Sequence, residues 1–113
     1  MAWWFFRGLR RGVITTRYPA TPPDPWTATL PTPPAFRPEA LTAETVAGLI
    51  DVCPSRALRR EAADLVLDVG ACTACGLCLA AYPDAAMPSG QIELAATDRA
   101  QLVKRIPIQG GTR

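Results

Sequence analysis

"ACTACGLCLAAYP", residues 71 to 83, places three cysteines, Cys72, Cys75 and Cys78, three positions apart. A C-x2-C-x2-C loop wraps three thiolates around three corners of an iron–sulfur cubane, and a more distant thiolate closes the fourth. In the common form of this run a fourth cysteine comes after three further residues and is followed by proline. Here Tyr82 stands in that place, and Pro83 follows it. The chain has 113 residues, four cysteines and no histidine, so the one remaining thiol is Cys53.

Cys53 belongs to a second copy of the same pattern. "CPSRAL" (53–58) and "YPDAAM" (82–87) share proline second, alanine fifth and a large apolar residue sixth, at an offset of 29 residues. The same offset sets Cys72, Cys75 and Cys78 opposite Ala43, Val46 and Leu49, and Tyr82 opposite Cys53. The first copy keeps its Cys-Pro and lacks its triplet; the second keeps its triplet and lacks its Cys-Pro. In two-cluster ferredoxins the triplet of one half and the Cys-Pro of the other hold the same cluster. Cys53, Cys72, Cys75 and Cys78 therefore complete one ligand set, and the four missing thiols all belong to the other. The expected fold is α+β: a bacterial 2x[4Fe-4S] ferredoxin-like core of pseudo-twofold symmetry, with an extended N-terminal arm and one [4Fe-4S] cluster.

The residue chemistry agrees with this ligand set. Gly76 allows the backbone to approach an inorganic sulfide closely. Ala43, Val46, Leu49 and Tyr82 are expected to fill the vacated pocket with side-chain volume. Four thiolate ligands leave no open position for a substrate, so the expected chemistry is one-electron transfer. Zinc is the competing occupant, although four-cysteine zinc sites usually use two separated C-x2-C pairs. A redox-inert structural cluster is another. Disulfides fit poorly, because neighbouring cysteines of the triplet would bridge badly and the expected compartment is reducing.

Bulk properties exclude several other classes. The length suits one domain, or one small domain with a tail. A net charge of +2 and a pI near 8.5 are too mild to argue for nucleic acid. The absence of histidine removes histidine zinc sites, histidine acid–base chemistry and cysteine–histidine nucleophile pairs. No Ser-His-Asp set, P-loop or dinucleotide fingerprint is present, so the chain is not expected to be catalytic alone. The aromatic residues precede the arginines at the N-terminus, the reverse of a secretory signal. No segment reaches the roughly 18 apolar residues of a spanning helix.

Four regions follow along the chain. Residues 1–17 read as an amphipathic N-terminal anchor, with Trp3, Phe6, Leu9 and Val13 near one helical stripe and Arg7, Arg10 and Arg11 beside or opposite it. Such a stripe suits a membrane interface or a partner subunit's surface equally. Residues 18–40 form a proline-rich arm holding eight of the twelve prolines, expected to run extended with Trp26, Leu30 and Phe36 as anchors on a neighbour. A free SH3-type ligand is the competing reading of the arm. Residues 41–96 form the single-cluster domain. In it "LTAETVAGLIDV" (41–52) reads as a helix capped by Thr42 and ended before Pro54, and "DLVLDV" (64–69) and "QIELA" (91–95) read as strands. Residues 97–113 form a helix and tail, the helix "TDRAQLVKR" (97–105) being capped by Thr97 and stopped before Pro107. A folded unit this small would benefit from a metal centre as a staple.

The order "FFRGLRRGVITTRYP", "FRPE", "CPSRAL", "LVLDVGACTACGLC", "ELAATDRAQLV" resembles the ferredoxin-type iron–sulfur subunit of group 4 membrane-bound [NiFe]-hydrogenases. Formate hydrogenlyase and hydrogenase-4 complexes are examples, and subunit I of respiratory complex I (NADH–quinone oxidoreductase) is homologous. The resemblance implies an electron relay next to a hydrogenase or complex I-like small subunit and neighbouring redox subunits. It further implies an N-terminal segment along the membrane-arm surface, peripheral on the cytoplasmic side of the cell membrane. Cys53, Cys72, Cys75 and Cys78 match the ligands of the cluster nearer the small subunit; Ala43, Val46, Leu49 and Tyr82 stand at the ligand positions of the outer one. The input side therefore differs from that of the family: electrons come from a differently placed donor or pass to a soluble carrier. The alternative function is a structural or assembly adaptor whose four-cysteine site holds zinc or an inert cluster.

Overall fold

"DLVLD" is the hub of the architecture. In the computed structural model, which describes residues 3–12 and 19–110, it forms strand β3 (Asp64–Asp68), with Leu65, Val66 and Leu67 all buried. A strand buried on both faces needs partners at both edges. On one edge lies β2 (Leu58–Glu61), antiparallel and in the register Leu58↔Leu67. On the other lies β5 (Val103–Pro107), antiparallel with Leu65↔Ile106. The inner face of this sheet, Leu58, Leu65 and Leu67, packs on the core with Leu41, Val46 and Leu49. On the outer face, Val66 lies between Arg59 and Arg105 in register, and both guanidinium groups pair with Glu61, at 2.7 and 2.6 Å. The aliphatic stems of two arginines thus cover a valine that would otherwise face water.

A second, two-stranded antiparallel sheet pairs β1 (Pro34–Phe36) with β4 (Ala86–Pro88), tying the arm to the segment after α3. Three α-helices lie among the described residues: α1 (Trp3–Arg11), α2 (Ala43–Val52) and α3 (Leu77–Ala81). The protein is a small mixed α/β chain with two antiparallel sheets. Helix α2 begins where the Thr42 side chain accepts the Thr45 N–H at 3.1 Å and ends at Cys53, with Pro54 next. It buries Val46 and Leu49. The order β1–α2–Cys53-Pro54–β2 is followed by β3–cysteine loop–α3–Tyr82-Pro83–β4, so the 29-residue offset relates elements as well as letters.

Three expectations are corrected. Residues 97–105 are not a helix: Asp98, not Thr97, caps a 3-10 turn (Arg99–Leu102), its side chain accepting the Ala100 N–H at 3.0 Å, and Val103 then enters β5. A nine-residue helix is marginal alone, whereas β3 offers a row of unpaired backbone groups that β5 satisfies. Residues 91–95 are not a strand: they pair with neither sheet, and of them Leu94 alone leans on the core. The proline arm contributes β1, and its expected anchor Phe36 packs on the chain's own core, whereas Trp26 and Leu30 remain exposed. In α1 every residue is exposed, Trp3 at 82%; Val13, the end of the expected stripe, lies outside the described residues. Among the described residues no helix is long and apolar enough to cross a membrane.

Candidate metal centre

Two turns, one from each half of the unit, deliver the thiols. Cys53 closes α2; after Pro54 and Ser55, Arg56 takes a left-handed φ of 53°, and its N–H returns to the Cys53 carbonyl at 3.2 Å. The second turn leaves β3 through Val69 and Gly70, and the Cys72 N–H bonds the Val69 carbonyl at 3.2 Å. Ala74 at φ 51° and Gly76 at φ 77° then curl residues 72–76 before α3 starts. Left-handed backbone costs most residues energy, and such conformations gather where a loop must hold a set shape. Of the three non-glycine residues with positive φ among the described residues, Arg56 and Ala74 flank these cysteines.

Cys53, Cys72, Cys75 and Cys78 line one small cavity that opens to solvent. All four are free thiols; Cys75 is exposed and the other three are half-buried. Leu58 and Leu67 of the larger sheet contribute apolar walls. Thr32 and Pro34 of the arm form another, strapped down by the β1–β4 ladder, by Ser89 N–H to the Pro33 carbonyl at 3.1 Å, and by Gly90 N–H to Thr32 Oγ1 at 3.2 Å. Among the described residues, no charged side chain lines the cavity. Among the described residues, no group of three or more His, Cys, Asp or Glu side chains is placed to hold a single metal ion. The four thiols thus share a cavity without converging on one point.

Their electrostatics differ. Burial pushes the Cys53 thiol up, but the Ser55 hydroxyl and the backbone N–H groups of Ala57, Leu58 and Ser55 outweigh it, and the net shift is downward. For Cys78 burial prevails and the shift is upward; the Leu79 N–H opposes it, and the neighbouring Cys72 and Cys75 add to it. Cys72 Sγ accepts the Ala74 N–H at 3.4 Å.

The equivalent place in the other half is solid. Where the second copy has an open loop followed by a short helix, the first has the continuous α2, with Val46 and Leu49 fully buried. Tyr82 lies half-buried against the core, and its ring and hydroxyl occupy the space that a side chain at Gly48 would need. Ala43, expected to fill the same pocket, is exposed at the start of α2 and fills nothing. Thr32, Pro34 and Ser55 were not among the expected site residues. Ser55 follows the Cys-Pro pair directly and could have been read from it, whereas Thr32 reaches the cavity only through the β1–β4 pairing. No protein-family model and no curated protein matches the chain.

Proposed function

We propose that this chain is an electron-transfer subunit with a ferredoxin-like core that binds one [4Fe-4S] cluster through Cys53, Cys72, Cys75 and Cys78. The observation that carries the proposal is the asymmetry between the halves: four thiols from two distant turns line one cavity, and the equivalent place is packed with Val46, Leu49 and Tyr82. The donor set fits the group. Four thiols, a glycine and an otherwise uncharged, largely apolar lining suit a sulfide-rich cluster. When bound, the cluster supplies one-electron transfer. The protein's part is to hold four thiolates, to exclude water on the sides walled by Thr32, Pro34, Leu58 and Leu67, and to leave the Cys75 edge open toward a redox partner. The order of elements, with β1 returning to β4 across the two halves, supports the ferredoxin-like reading.

The assembly we propose is a membrane-associated hydrogenase or complex I-like oxidoreductase, with the small subunit as redox neighbour. The exposed aromatic residues and three arginines of α1 support its role as a fastening along the membrane-facing side, on the cytoplasmic face.

The test is a set of variants reconstituted without oxygen from iron and sulfide. Cys53→Ala is expected to abolish the brown 400-nm-region absorption as fully as Cys72→Ala, whereas Tyr82→Phe retains it (about four irons per chain). A Cys53→Ala protein with a normal cluster would contradict the cross-half ligand set. A colourless wild type that binds one zinc would favour the adaptor.

A further inference from the structure

A cysteine sulfur bound to iron accepts hydrogen bonds, and each donor aimed at it stabilises the more negative, reduced state, so such bonds help set the reduction potential. Three hydroxyl side chains line the cavity: Thr32, Ser55 and Thr73. They are not equivalent. Thr32 Oγ1 is held by the Gly90 N–H on the arm side. Thr73 is exposed and bonds no sulfur among the described residues. Ser55 Oγ lies 3.6 Å from Cys53 Sγ. The turn that holds it there is built by Pro54, which fixes its own φ, and by Arg56, whose left-handed backbone closes back onto Cys53.

We infer that Ser55 is a positioning residue for the cluster, donating its hydroxyl hydrogen to Cys53 Sγ and thereby holding the reduction potential up. The inference rests on the cluster reading above and names a residue that regulates it. A thiolate carries no hydrogen, so in the ligated state the serine is the donor. The other donors toward these sulfurs, Ala74 N–H to Cys72 Sγ and the N–H groups of Ala57, Leu58 and Ser55 toward Cys53 and of Leu79 toward Cys78, are backbone, which an ordinary side-chain substitution leaves in place. Ser55 is therefore the side-chain lever on this site.

The experiment uses the full chain, reconstituted without oxygen, as wild type, Ser55→Ala, Ser55→Thr and Thr73→Val. Midpoint potentials come from EPR-monitored redox titration, and iron–thiolate stretching frequencies from resonance Raman spectra in H2O and D2O. Ser55→Ala is expected to shift the potential to more negative values and to raise one iron–thiolate frequency. Ser55→Thr, which keeps a hydroxyl, restores both toward wild type, and Thr73→Val changes neither. The D2O shift of that Raman band is expected to be smaller in Ser55→Ala than in the wild type, since the variant keeps only the exchangeable backbone N–H donors toward Cys53. Equal potentials for wild type and Ser55→Ala at equal iron content, with the same D2O shift in both, would overturn the inference and leave the cluster reading standing. A wild type that takes up no iron would overturn both.

Discussion

Cys53 and Tyr82 occupy equivalent places, each after a helix and before a proline, and their chemical difference separates the two halves. A thiol at the first lines the cavity; a phenol ring at the second lies over α2 at Gly48. Away from the cavity, Glu61 shows what a surface residue contributes. The Arg59 guanidinium first, and Arg105 second, hold its carboxyl below the usual glutamate range. A group with a lowered folded-state value lends stability only where it is ionised. The contribution is complete above the ordinary glutamate range and is lost as pH falls through the lowered value. Arg59→Gln is expected to move the Glu61 titration back up, and by more than Arg105→Gln does, as followed by carboxyl carbon shifts in NMR. Because the triad is exposed, neither change should move the thermal midpoint much.

At the scale of elements, α2 decides which half is empty. A side chain at Gly48 would overlap Tyr82. Gly48→Ala should therefore cost about 1–3 kcal/mol through overpacking, even though alanine is the better helix former. In a Tyr82→Ala background the same change should be neutral or stabilising by up to about 1 kcal/mol. Urea unfolding of the four proteins gives the coupling, and purely additive effects would show that the ring is not what limits position 48. Leu49→Ala removes a fully buried side chain from the same seam, with an expected loss of about 2–5 kcal/mol. Helix α2 and strand β3 were legible in the sequence because local signals agree there: Thr42 as cap, Pro54 as stop, and a tight apolar run between acids. Strand β5 was not. "TDRAQLVKR" has a helix-like spacing, and only the open edge of β3, a long-range partner, makes Val103–Pro107 a strand. Residues 91–95 alternate like a strand, yet they pair with neither sheet among the described residues; the central strand β3 already has β2 and β5 at its two edges. The four cysteines could be grouped from their spacing and the 29-residue offset, but the arm wall at Thr32 and Pro34 depends on β1–β4 pairing across the whole unit, which no local pattern announces.

At the scale of the whole molecule, that same small sheet ties the arm to the segment after α3, so that it bridges the two halves. The arm segment that walls the cysteine cavity is also the segment that closes the fold, so cluster binding and folding should reinforce each other. Removing iron and sulfide with a chelator under reducing conditions is expected to lower the thermal midpoint and to speed proteolysis in the arm before Phe36. An apo-protein as stable as the loaded one would separate the two functions of the arm. With one half filled by side chains, the proposed function allows a single redox centre. The most direct test is low-temperature EPR of the anaerobically reconstituted chain before and after dithionite, with iron and sulfide determined on the same sample. The account predicts about four irons per chain and one S = 1/2 signal on reduction, without the broadening of two coupled clusters. About eight irons with a spin-coupled spectrum, or a silent protein holding zinc, would contradict it.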